Sequence, residues 1–126
     1  MTIAASHKAH VHKAYTEMAI TILRDARKLI ERPENWARGD YAFDRHGALC
    51  APTDPNAVCW CLLGAVECAA KRFSHARCDS VTEFLGEICD PKYECCGDFN
   101  DHEDTTHADV IAFLDGAIEL LQTANE

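Results

Sequence analysis

The sequence has few of the residues that break a chain or loosen it. Glycine and proline together fill 10 of 126 positions, and no segment repeats, which excludes a collagen-like fibre, a low-complexity chain and a solenoid. Long apolar runs are missing too: the longest, Ala57 to Val66, has ten residues, about half of what a membrane-spanning helix requires. The first twenty residues carry His7, Lys8, His10, His12 and Lys13 where a secretory signal would place a continuous apolar stretch. The expectation is a cytoplasmic protein with no membrane partner, and the three histidines read as a solvated tail.

Positive charge is scarce in the second half. Residues 64–126 hold four Lys or Arg against fourteen Asp or Glu, whereas residues 1–63 hold eight against seven. Between Asp98 and Asp109 there are five carboxylates and no Lys or Arg, a distribution that opposes docking on a phosphate backbone, so nucleic acid is not an expected partner. The simplest reading of this stretch is a solvated acidic face; sharper ones are a divalent-cation site or a surface for a basic partner.

Several catalytic signatures are missing as well. There is no Walker A sequence, no G-x-G-x-x-G, no G-x-S-x-G and neither half of the zinc-deaminase motif. No C-x-x-C pair occurs despite eight cysteines, and no cofactor is expected. Without an export signal the cysteines are expected as thiols, with Cys59, Cys61, Cys68 and Cys89 as small core residues and Cys50, Cys78, Cys95 and Cys96 as looser thiols in a predicted hairpin and polar segments.

What is present suffices for a core. At 14.0 kDa, with 48% hydrophobic residues, the chain corresponds to one domain spanning 1–126, with 1–8 and 123–126 frayed. Apolar residues at helical spacing over Val11–Ile30 predict an amphipathic helix ending before Pro33, after which Trp36 folds back on the core. The stretch 39–51 predicts a small β-hairpin around Asp44–Gly47, with Gly47 at positive φ. Thr53 or Asp54 predicts the start of a buried helix over 56–72, with Cys61, Gly64, Ala65, Cys68 and Ala69 forming a small-residue face that admits a neighbouring helix. Glu67, the one charge on that helix, has to reach solvent or a donor such as Arg24, Arg27 or Lys71. Ser80–Glu83 fits a capping box for a short third helix, 91–104 reads as loop, and Thr105 or Thr106 caps a last helix along Val110, Ile111, Leu114, Ala117, Ile118 and Leu121. The predicted fold is mainly α, a four-helix single domain with a small hairpin.

Trp36, Gly39, Asp44 and Gly47, then AVCWCLLGAVECAA at 57–70 and FNDHEDTTHADVIAFLDGAI at 99–118, resemble a family of small bacterial and phage-associated proteins known as a domain of unknown function. The similar stretch covers most of residues 15–121. Its most specific pieces are Trp60-Cys61-x-x-Gly64-Ala65, Asn100-Asp101 and Thr106-His107. The resemblance implies a mostly helical single domain and supplies no activity, cofactor or partner. The N-terminal histidines, and most of the cysteines, Cys61 excepted, lie outside its pattern.

Within these pieces one set has the residue types of nucleophilic catalysis: Cys61 as thiol, His107 as base, and Asn100 or Asp101 as orienting group. Against it, Cys61 is predicted inside an apolar helix, where burial makes a thiol inert. Metal candidates are Asp98, Asp101, His102 and His107, or Cys59 and Cys61 with Cys95 and Cys96; C-x-C and C-C spacings do not fit structural zinc, and Asp98-x-Asn100 fails the EF-hand template. Asn100-Asp101 and Thr105-Thr106-His107 otherwise read as a turn and cap for the last helix. The leading expectation is a binding or accessory protein, as a homo-oligomer or on a protein partner; the alternatives are a cysteine-dependent hydrolase or transferase and a metal-binding structural protein.

Overall fold

Apolar residues three and four apart wind Lys13–Leu29 into α1, and Met18, Ile22, Leu23 and Ala26 on its inner stripe are buried. The structure, a computed structural model, describes residues 13–124. The expected histidine tail, the helix start at Val11 and the frayed residues 1–8 and 125–126 lie outside these. Beyond α1, Pro33 opens a 3-10 turn over Pro33–Asn35, and Trp36 then packs, partly buried, against the core.

The strands follow. β1, Ala42–Asp44, pairs antiparallel with β2, Ala57–Trp60, so that Ala42 faces Trp60 and Phe43 faces Cys59. The predicted turn is present: the Asp44 carboxylate accepts from the His46 and Ala48 N–H groups at 2.8 and 3.0 Å, and Gly47 adopts φ +78°. Leu49 only bridges to Phe43, however, and the regular second strand comes from 57–60, a segment predicted to be helical. The Asp54 carboxylate takes the Asn56 N–H at 2.8 Å and turns the chain, and Trp60 is buried with its Nε1–H donating to the Pro52 carbonyl at 3.0 Å. Val and Trp side chains suit this half-buried pleat better than a helix.

Consequently α2 begins later than predicted, at Leu62, and runs to Ala69 before a 3-10 turn over Ala70–Arg72. Its N-cap is Cys61, whose Sγ accepts the Gly64 N–H at 3.3 Å. Leu62, Ala65 and Val66 are buried and Glu67 is exposed, as its charge requires. The helix lies against α1. Gly64 admits no neighbouring helix: a Cβ there would lie 2.0 Å from the Tyr41 carbonyl oxygen, so its missing side chain lets backbone just before β1 cross the first turn of α2. The Tyr41 carbonyl also accepts the Cys61 N–H, at 3.2 Å.

α3 spans His75–Ile88 and is capped by Ser74, not by Ser80; the Ser74 hydroxyl accepts the Arg77 N–H, while the Ser80 hydroxyl donates to the Ala76 carbonyl inside the helix. α4, Cys96–Asp101, occupies part of the predicted loop, giving five helices among the described residues. α5 runs His107–Ala124, so Thr123 and Ala124 belong to its last turn. Thr106 and Asp109 cap it reciprocally, at 3.1 and 2.9 Å, whereas Thr105 is buried. The class is as predicted: mainly helical, with one small antiparallel pairing.

Two glycine substitutions separate close approach from helix propensity. Gly64→Ala is expected to destabilise the protein by about 1–3 kcal/mol, because backbone has to shift. Gly86→Ala, in α3 with nothing within 4 Å of the added carbon, is expected to stabilise by roughly 0.5–1 kcal/mol. Urea unfolding of both variants checks the opposite signs.

Candidate functional site

The residues of the recurring motifs meet around one amide. Asn100 sits in α4 at a position that repeats the buried spacing of Cys96 and Phe99, and it is fully buried. Its Oδ1 accepts from the Trp36 indole N–H at 2.7 Å and from the Leu62 backbone N–H at 3.0 Å. Its Nδ2 donates to the Ala37 carbonyl at 3.0 Å and to the Asp101 carboxylate at 2.9 Å. Two donors face the oxygen and two acceptors face the nitrogen, so the partners fix the amide's orientation and fill its four bonding positions. Asp101 continues the network by accepting the Gly39 N–H at 2.9 Å; Gly39 itself adopts φ +91°. The Arg38 guanidinium lies 4.8 Å over the Trp36 ring and donates to the Thr105 carbonyl.

Beside this junction Cys61 opens on a cleft of about 220 Å³, shared with Gly39, Asp40, Tyr41, Leu63, Gly97 and Asp101. Burial pushes its thiol above the ordinary cysteine value; the backbone N–H groups of Gly64 and Leu63 act in the opposite direction, and the carboxylates of Asp101 and Asp40 add to the rise. The structure therefore brings Cys61, Asn100 and Asp101 together. His107 takes another place: its Nε2–H donates to the Ile30 carbonyl at 2.7 Å, tying the start of α5 to the end of α1, and its ring lies 6.1 Å from that of Trp36. It does not line the Cys61 cleft.

Three of the four Asp and His metal candidates share one cleft, and the fourth, His107, lies elsewhere. Asp98, Asp101 and His102 border an open cleft of about 430 Å³ with Lys92, Tyr93 and Glu94, and His102 Nδ1 accepts the Asp104 N–H at 3.0 Å. Among the described residues no group of three or more His, Cys, Asp or Glu is placed to hold a metal ion. Cys59 turns its thiol toward the Phe43 carbonyl, 3.9 Å away. Cys96 is buried against Cys89, and burial pushes both thiols up; Cys95, at the N-cap of α4, is exposed. No helix among the described residues is long and apolar enough to cross a membrane. Sequence reasoning missed Trp36 and Ala37 as Asn100 partners; the helical spacing of residues 96, 99 and 100 signals that Asn100 is buried but not which groups it meets.

The chain belongs to the family of unknown function DUF6197, whose model matches residues 14–120. No curated protein and no solved structure matches it.

Asn100→Ala is expected to lower stability by about 3 kcal/mol or more, since it leaves the Trp36 and Leu62 N–H groups and the Ala37 carbonyl without their partner. Asn100→Asp keeps the acceptors but places a second carboxyl beside Asp101 in a buried site. Its neutral form is favoured when folded, so its deficit against the parent grows as pH rises from about 4 toward 7. Chemical denaturation at both pH values measures each effect.

Thiol exposure gives a separate check. Of the eight cysteines only Cys95 is exposed, so an aromatic disulfide reagent is expected to modify it quickly in the native protein. Cys95→Ser should remove that fast phase, and Cys61 should react only slowly until the protein unfolds.

Proposed function

We propose that the chain is a non-catalytic binding or accessory protein acting as a single domain, whose shared motif residues position its elements instead of handling a substrate. The observation that carries this reading is the complete internal engagement of Asn100, together with the Ile30 contact that holds His107 away from the Cys61 cleft. A working surface then has to lie elsewhere. Among the described residues the exposed large apolar side chains are Tyr41, Leu49 and Val58, and all three belong to the two-stranded sheet or its flanks. Leu49, bridged to Phe43, is the most exposed of the three at 62%, and a second copy of the chain is the partner this reading assigns to it.

Sedimentation velocity tests the reading. The parent is expected to associate as concentration rises, and Leu49→Asp with Val58→Asp is expected to hold the chain at its 14.0 kDa monomer mass. A parent that stays monomeric at every concentration contradicts the choice of a second copy.

One observation favours a second reading, a cysteine-dependent hydrolase or transferase. Cys61 stands at the N-terminus of α2 with the Gly64 N–H directed at its sulfur, an arrangement that stabilises a thiolate or a developing oxyanion. Its burial and the adjacent carboxylates oppose this. Cys61-dependent release of nitrophenol from an activated ester, lost in Cys61→Ser and retained in Cys95→Ser, would favour it over the binding reading.

A further inference from the structure

Three of the chain's 12 Lys and Arg residues line a single groove. Between the last turn of α1 and the end of α2 lies a groove of about 400 Å³, within the range of small-molecule sites. Its floor is apolar and made of Leu29, Cys68 and Ala69, and Cys68 is buried. Three cations stand on its rim: Lys28 from α1, and Lys71 and Arg72 from the 3-10 turn that follows α2, all exposed. Its only carboxylate, Asp25, is held by Arg72 at 2.9 Å. The groove thus has a positive balance in a chain whose formal charge is −9.

We infer that this groove binds a small amphipathic carboxylate, with the alkyl or aryl body on the Leu29–Cys68–Ala69 floor and the anionic head between Lys28 and Lys71. The chemistry of floor and rim selects this class. A fully polar anion leaves the apolar floor in contact with water, a neutral hydrocarbon leaves the cations unused, and a phosphate polymer is repelled by the rest of the molecule. Arg72 is engaged with Asp25 and lies over the Phe73 ring, so the head falls to Lys28 and Lys71, whose long stems can lie along apolar surface while their ammonium groups remain in water. The inference extends the binding reading above to a second surface. It shares no residue with the Asn100 junction or with the sheet surface, so either can fail without the other.

There is a competing role for the same cations. Lys28 lies in the last turn of α1, and Lys71 and Arg72 follow the end of α2, where positive charge complements the helix carbonyls without any ligand. Calorimetric titration at low ionic strength separates the two. Decanoate is expected to bind saturably at about one equivalent, and decanol and acetate at least about tenfold more weakly. Lys28→Met with Lys71→Met is expected to weaken decanoate by about fivefold or more. Ala69→Leu is expected to abolish binding by filling the floor while the far-ultraviolet circular dichroism and unfolding midpoint show that the fold persists. Absence of saturable decanoate binding, equal binding of decanol, or undiminished binding by the double lysine variant would overturn the inference and leave the cations with their helix-end role alone.

Discussion

A single buried primary amide holds together parts of the chain that are far apart in sequence. Asn100 bonds to the Trp36 indole, the Ala37 carbonyl and the first amide of α2, which are about sixty and forty residues away. An amide at that depth is costly when unpaired and stabilising when saturated, since the low local dielectric strengthens every bond it makes. Its position determines where α2 begins. The free N–H groups of a helix's first turn need acceptors, and here Asn100 serves Leu62 while the Cys61 sulfur serves Gly64. With that end fixed, Tyr41 backbone can cross over Gly64, and the small sheet is held against α2.

The parts of the fold that follow simple periodicity were legible in the sequence. α1 and α5 carry uninterrupted apolar stripes, and the Asp44–Gly47 turn has its own chemistry in the Asp side chain and the positive φ of Gly47. The strand 57–60 was not legible because AVCW is as apolar as the helix that follows it, and periodicity cannot divide a continuous apolar run. The boundary is set by a thiol cap, and cysteine is not among the residues that ordinarily announce a helix start. α4 was hidden for a related reason. Its buried positions, Cys96, Phe99 and Asn100, keep helical spacing, but one of the three is polar and reads as loop.

The candidate site was legible only in part. Cys61, Asn100 and Asp101 do converge, and the cleft beside them contains the thiol and the carboxylate. The partners that occupy Asn100 and His107 are backbone carbonyls and amides, along with the Trp36 indole. Backbone groups are identical at every position, so no sequence pattern reveals which of them a side chain will meet. On the binding reading proposed above, a set of residues with the composition of a catalytic triad serves here largely as fasteners. The cysteines divide along the same line: Cys61 caps, Cys68, Cys89 and Cys96 pack, and Cys95 alone is exposed.

Residue-resolved amide hydrogen exchange tests the role of Asn100 most directly. The Leu62 amide stands at the first turn of a helix, a position that ordinarily exchanges quickly. In the parent it is expected to exchange as slowly as the Val66 amide in the body of α2. In Asn100→Ala, under conditions where Val66 and Leu114 stay protected, the Leu62 amide should exchange at least about tenfold faster, as should Gly39, whose acceptor Asp101 loses its hold. Unchanged protection at Leu62 in that variant would contradict the claim that this side chain sets the start of α2.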